Sequence, residues 1–174
     1  MLDTTPSQTA GPYYSIGMSR RPAWSELVAP DSEGALEIVG RVLDGAGDGV
    51  SDSLVEIWQA DADGIYRSDW GWGRCGSDET GAYRLVTVKP GRVADDEGVL
   101  QAPHVTVLVF ARGLLKQVQT RMYFPDEQDA NEVDPILAAL EPRERAALVA
   151  SAEDGALRFD ICLNGEEQTP FFMQ

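Results

Sequence analysis

An antiparallel β-sandwich is the fold class that the sequence predicts, all-β apart from an extended N-terminal arm and a short helical insertion. Three observations predict it. Short runs of alternating apolar and polar residues recur at near-regular spacing. Clusters of Gly, Asp and Pro separate those runs. Sustained helical signals are confined to residues 134–151. The 174 residues suit one domain with one core, divided into an arm (1–34) and a sandwich (35–174).

The arm is rich in Pro, Ser and Gly, with Pro6, Gly11 and Pro12 as punctuation. One helical turn is expected near Trp24. The adjacent Tyr13 and Tyr14 predict that the arm packs on this chain or on a neighbour. From residue 35, Leu36, Ile38, Gly40 and Val42 alternate with Glu37, Val39 and Arg41, which reads as a strand. A turn cluster at 44–49 leads to a second strand, 54–59. Gly64 turns the chain before Ile65 and Tyr66, and 71–78 reads as a Gly- and Trp-rich loop. Residues 83–88 form a strand ended by Lys89-Pro90-Gly91. Residues 104–110 are strongly apolar and predict a central strand. Strands at 119–124 and 157–163 complete the set. Between them Asp134 can cap a helix that has Pro135 at its first position and runs to Leu140. Glu141-Pro142 interrupts, and 143–151 reads as a second helix.

The formal net charge of −15 repels nucleic-acid phosphates and anionic lipid, so neither is an expected partner. It leaves room for an anionic small substrate, because a few arginines can make a local positive pocket. An apolar content of 43% argues against disorder. No apolar run approaches the roughly 20 residues of a membrane helix. The N-terminus lacks a basic n-region and an apolar h-region, so a cytoplasmic location is expected. Cys75 and Cys162 are too few for a disulfide framework and are expected to be reduced and mostly buried. Gly-rich phosphate loops, CxxC pairs, HExxH and GxSxG are all absent from the sequence. His104 is the single histidine, so a mechanism needing two imidazoles requires another chain. Its place at the start of an apolar strand suits a hydrogen-bonded structural histidine. Local motifs alone therefore leave two classes open: part of an enzyme, or a non-catalytic binding or scaffold module.

Longer segments carry a resemblance. They are Thr5-Pro-Ser-Gln-Thr-Ala-Gly-Pro-Tyr13, Glu56-Ile-Trp-Gln-Ala-Asp-Ala-Asp-Gly64 followed by Tyr66, and Val88-Lys-Pro-Gly91. Ala102-Pro-His104, Phe110-Ala-Arg-Gly113 and Thr120-Arg-Met-Tyr-Phe124 follow, then Phe159-Asp160-Ile161 and the terminal Phe171-Phe172. In this collinear order the set resembles the intradiol aromatic-ring dioxygenases over nearly the whole chain. The resemblance implies two homologous chains, with non-haem Fe(III) held on the beta-type chain by two tyrosines and two histidines. Those four positions fall here on Tyr66, Val93, His104 and Thr106, and a neighbouring arginine falls on Gln101. Val93 offers no donor and Thr106 is a poor substitute for imidazole. This chain is therefore expected to bind no metal. Tyr66 and His104 are vestigial positions, and the Fe(III) belongs to the partner beta subunit.

The resemblance further implies that Thr9, Gly11, Pro12, Tyr13 and Arg112 line a substrate pocket formed with that partner. The implied reaction is O2-dependent cleavage of 3,4-dihydroxybenzoate between its hydroxylated carbons, giving 3-carboxy-cis,cis-muconate. Arg112 suits the carboxylate end of that substrate, because a guanidinium stays charged and offers forked donors. Trp70 and Trp72 fit interface anchors and core residues equally. The loop that carries them is shorter than the family's usual one.

Overall fold

The computed structural model describes residues 6–11, 13–18 and 24–172. In chain order these form α1 (Tyr13–Met18), β1 (Ala35–Leu43), β2 (Leu54–Trp58), β3 (Trp72–Gly76), β4 (Ala82–Val88), β5 (His104–Phe110) and β6 (Val118–Tyr123). Then come α2 (Gln128–Glu132), α3 (Pro135–Ala138), α4 (Pro142–Ala147), β7 (Ser151–Glu153), β8 (Ala156–Arg158) and β9 (Ile161–Cys162). The strands make two sheets. One has the order β3-β2-β5-β6 and is antiparallel throughout. The other has the order β4-β1-β8-β7, with β9 also on β1. The sandwich forms because the apolar members of each alternation face one another. Val55, Ile57, Val105 and Val107 of the first sheet share a core with Ile38, Val42 and Leu85 of the second. No helix among the described residues is long and apolar enough to cross a membrane.

The second sheet of this predicted sandwich also contains parallel pairs. β1 pairs antiparallel with β4 but parallel with β8 and β9. The chain returns beside β1 only after the helical insertion and the β7–β8 hairpin, and that crossover brings it back in the same direction. The strand expected at 157–163 is split in two at Phe159 and Asp160. There the Asp160 carboxylate accepts the Arg41 backbone N–H at 2.8 Å, in place of a ladder carbonyl. Gly40 makes room for this approach: a Cβ on it would lie 2.0 Å from the Phe159 carbonyl oxygen. The Tyr83 hydroxyl then donates to that same carbonyl at 2.5 Å.

The expected loop at 71–78 contains β3, whose Gly73 and Cys75 face inward. Two glycines in a five-residue strand erase the apolar period by which strands are read. Burial pushes the Cys75 thiol up to about 12, and Cys162 is only partly buried; both are free thiols. In the arm, α1 is helical and Trp24 lies in a 3₁₀ turn, after which residues 25–27 run along β4 in an extended form: Leu27 N–H donates to Val86 O and Val86 N–H to Ser25 O, each at 2.8 Å. The helix from Pro135 stops at Ala138, short of Leu140. The next, α4, carries a Glu141/Glu144 capping box and stops at Ala147. It does not reach Ser151, because Tyr123 takes over the backbone: its N–H donates to Leu148 O at 2.8 Å and its carbonyl accepts from Ala150 N–H at 3.0 Å.

Asp134 caps α3 as expected, with Oδ1 accepting from Ile136 N at 2.9 Å and Leu137 N at 3.0 Å. Its carboxylate, fully buried, also accepts from Ala102 N at 2.8 Å and from the Tyr123 hydroxyl at 3.2 Å. Asp134→Asn is expected to destabilise the chain by about 2–3 kcal/mol, because either orientation of the amide turns an NH2 toward a buried N–H donor. The shift of the urea unfolding midpoint at constant slope measures this.

Candidate functional site

Strand alternation decides which residues of β5 face the core and which face outward. Val105, Val107 and Val109 enter the core, so His104, Thr106 and Leu108 lie on the opposite face. Register then fixes their neighbours. His104 lies opposite Tyr123 and Thr106 opposite Arg121 on β6, while Thr106 meets Trp58 on β2. The Tyr66 ring stacks on Trp58, with centroids 5.8 Å apart and planes at 11°. Val93 is drawn alongside by its carbonyl, which accepts the Gln101 N–H at 2.8 Å. Of the positions that match the family's four ligands, Tyr66, His104 and Thr106 thus share one face, and Val93 is tied by its backbone to Gln101 at the entrance to β5.

A fixed cation lies beside that group, on the strand position opposite Thr106. The Arg121 guanidinium donates to Gln101 Oε1 at 2.9 Å, and its charge acts on Tyr66, His104 and Tyr123 together. The His104 Nδ1 donates to the Ala102 carbonyl at 2.9 Å. Burial first, and then the Arg121 charge, lower the His104 pKa from 6.5 to about 4, so the ring is neutral at pH 7. Burial raises the Tyr66 hydroxyl pKa, and Arg121 only partly offsets this. A ferric ion of this class needs anionic phenolates and several imidazoles. This face offers protonated tyrosine, one imidazole, valine, threonine and a guanidinium, and these residues do not fit the metal. Arg121 was not singled out from the sequence. The signal was present in strand alternation, which places residue 121 two positions from Tyr123 on the same face of β6.

The second group lies where the arm meets the end of β5. The Thr9 Oγ1 accepts the Gly113 backbone N–H at 2.8 Å, tying the arm to the turn that carries Arg112. The Arg112 side chain is 57% exposed, with Nη2 3.7 Å from Asp52 Oδ2. Gly11 accepts the Tyr14 N–H at 3.0 Å at the start of α1. Tyr14 leans on Phe110, with ring centroids 6.2 Å apart, beside a cavity of about 340 Å³ between the arm and residues 110–117. Tyr13 points away and is 81% exposed. Pro12 lies outside the described residues.

The far end of the arm is clamped. The Arg74 guanidinium lies 4.9 Å from the Trp72 ring and 5.5 Å from the Trp24 ring, and it is ion-paired with Glu56 through Nε at 2.7 Å. Nη1 of Arg74 reaches Met18 Sδ at 3.8 Å. Trp24 and Trp72 meet edge to face at 5.8 Å, and Trp70 Nε1 donates to Leu27 O at 3.2 Å. Both tryptophans that the sequence leaves open therefore hold this chain's own N-terminal segment. Glu56 and Arg74 are register partners on β2 and β3; reading 71–78 as a loop hides that pairing.

A family model described as dioxygenase matches residues 10–165. The protocatechuate 3,4-dioxygenase alpha chain of Pseudomonas putida is 41% identical over 195 residues, covering 99% of this chain and 97% of that relative. The protocatechuate 3,4-dioxygenase beta chain of Burkholderia cepacia is 32% identical over 155 residues, 76% of this chain and 66% of that one. Among solved structures, one match is the dioxygenase domain of a dioxygenase carbohydrate-binding protein fusion from Streptomyces sp. SirexAA-E. It has a TM-score of 0.64 and 26% identity, covering 94% of this chain and 99% of that domain.

His104 sets a pH dependence. Its folded pKa is depressed, to about 4 from 6.5, so between those values the unfolded chain takes up a proton that the folded chain refuses. Stability is then greatest above pH 6.5 and falls as pH drops. From this histidine, about 2 kcal/mol is expected to be lost between pH 7 and pH 5. His104→Gln should flatten the pH profile by that amount, read from urea unfolding at both pH values.

Proposed function

The chain belongs to the intradiol dioxygenase family, and from that membership we propose that it is the iron-free, alpha-type subunit of a protocatechuate 3,4-dioxygenase. Its partner is a homologous beta-type chain, which holds the Fe(III) and carries the oxygen chemistry. The observation that carries this reading is the Arg121 guanidinium, opposite Thr106 and bonded to Gln101, with its charge acting on Tyr66 and His104. A face that already carries a fixed positive charge, with Val93 and Thr106 where donors are needed, must borrow its redox centre.

What this chain supplies is position. In the proposed pocket the two hydroxyls of 3,4-dihydroxybenzoate face the partner's iron, and the carboxylate faces Arg112. A strand-end arginine with a half-exposed side chain, on a turn tied to the arm through Thr9, is suited to grip that group. A preformed grip of this kind fixes the ring's orientation before reaction. The resemblance assigns Gly11, Pro12 and Tyr13 to the adjoining wall. At Gly11 nothing stands within 4 Å of where a Cβ would be, so this side of the arm is open for a partner or substrate to approach. The exposed Tyr13 ring is the kind of aromatic that a subunit interface covers. The ring-opened product is 3-carboxy-cis,cis-muconate. The chain's relatives weigh against the reading as a non-catalytic scaffold.

Co-expression with a beta-type homologue is expected to yield a co-purifying complex that cleaves protocatechuate with iron stoichiometric to the beta chain. A solitary preparation with bound iron and full turnover would overturn the subunit reading. In the complex, Arg112→Ala should raise KM for protocatechuate about tenfold or more, the range for losing a charge-assisted contact. The KM for catechol, which lacks the carboxylate, should barely change, and iron content should stay the same. An unaltered KM for protocatechuate would remove Arg112 from the pocket.

A further inference from the structure

We propose that Asp52 is a positioning residue for Arg112, holding one end of its guanidinium so that the rest of the fork faces an incoming carboxylate. This rests on the pocket role read for Arg112 above. The pairing is written in the sheet. Leu54 of β2 lies opposite Phe110 of β5 in an antiparallel ladder. Asp52 and Arg112 lie in the turns just beyond that pair, each two residues outside it. The side chains meet accordingly, with Arg112 Nη2 3.7 Å from Asp52 Oδ2.

The acid stands on a rigid base. Ser53 is fully buried. Its N–H donates to Ser77 Oγ at 2.9 Å, and both serine hydroxyls donate to the Val50 carbonyl, at 3.0 Å and 2.8 Å. The Ser77 N–H returns to Ser53 O at 2.9 Å. This web fixes the turn to the β2–β3 frame. Asp52 itself sits at φ 60°, a left-handed conformation for which glycine is the default and which Asp and Asn tolerate best among the rest. A carboxylate is thus held at a strained turn position next to the proposed substrate grip, a pattern met at functional sites.

Arginine has a long and flexible side chain, and an unrestrained one loses much rotamer freedom on binding. Arg112 is restrained at both ends. Its backbone turn is tied to Thr9 through Gly113, and its tip is drawn to Asp52. The contact is made through Nη2, and a guanidinium carries five N–H donors, enough to serve a second carboxylate as well. The pair is half exposed, so its contribution to stability is small; its consequence is orientation.

The test uses the alpha–beta complex. Asp52→Asn keeps the size and the left-handed preference and removes the charge. It is expected to raise KM for protocatechuate about threefold, in the range of an exposed ion pair, with kcat unchanged and KM for catechol unchanged. Asp52→Gly, which relieves the backbone strain, should give the same KM shift without loss of stability. In a double-mutant cycle, Asp52→Asn added to Arg112→Ala should cause no further change. A KM for protocatechuate that falls or stays constant in Asp52→Asn overturns the proposal, as does a shift that persists in the Arg112→Ala background. If Arg112→Ala alone leaves protocatechuate KM unaltered, the pocket reading fails and this proposal fails with it. If Arg112→Ala acts and Asp52→Asn does not, only the role of Asp52 is lost.

Discussion

A single buried carboxylate ties together the elements on which the outer face of the sheet depends. Asp134 accepts hydrogen bonds from Ala102, Tyr123, Ile136 and Leu137. It thereby joins the entrance to β5, the end of β6 and the first turn of α3. A full charge removed from water is tolerated only when its lone pairs are filled, and here both oxygens are engaged. The helical insertion therefore acts as a bracket for the strand pair. With Ala102 held, β5 begins at His104 in one register, and a slip of one residue would exchange the core valines for His104 and Thr106.

From that register follows the electrostatic character of the outer face. Of four positions that could gather around a metal, two carry no useful donor, and Arg121 stands opposite one of them, Thr106. The guanidinium favours a neutral His104 and moderates the raised pKa of Tyr66. It gives the face a permanent, localised charge that needs no ion from solution. Introducing a further cation would place like charges side by side in a partly buried site, which is costly. On the proposed reading the division of labour between subunits is thus a matter of charge as well as of missing ligands.

Much of the sandwich is legible in the sequence because period-two alternation is a local signal. The strands at β1, β2, β4, β5 and β6 stand where the alternation puts them, and Asp134-Pro135 marks a helix start by its own chemistry. What the sequence hides is non-local. β3 contains two glycines in five residues and is recognisable only through its partner β2. The last predicted strand is broken at Phe159 and Asp160, because a side chain from one end of the chain replaces a backbone acceptor for Arg41 at the other. The α4 helix stops at Ala147 because Tyr123 pairs with the residues that would extend it. The candidate site divides in the same way. Tyr66, His104 and Arg112 stand out through their motifs, whereas Arg121 and Arg74 acquire meaning only once the register sets them opposite Thr106 and Glu56, and Asp52 only through its contact with Arg112.

The arm shows how a short segment with little structure of its own is made definite. It is secured at two places. At one, Trp24, Trp72 and Met18 surround the Arg74 guanidinium, which is itself ion-paired to Glu56 with both side chains largely buried. At the other, Thr9 accepts from the Gly113 backbone. Between them lies α1, six residues long and too short to be stable by propensity alone, so its order derives from these two ends and from Tyr14 on Phe110. A segment fixed before association spends less ordering entropy when a partner arrives. The consequence is that Tyr13, which the two anchors leave uncovered, is presented by a prepared surface, and an interface formed there gains the full area of the ring.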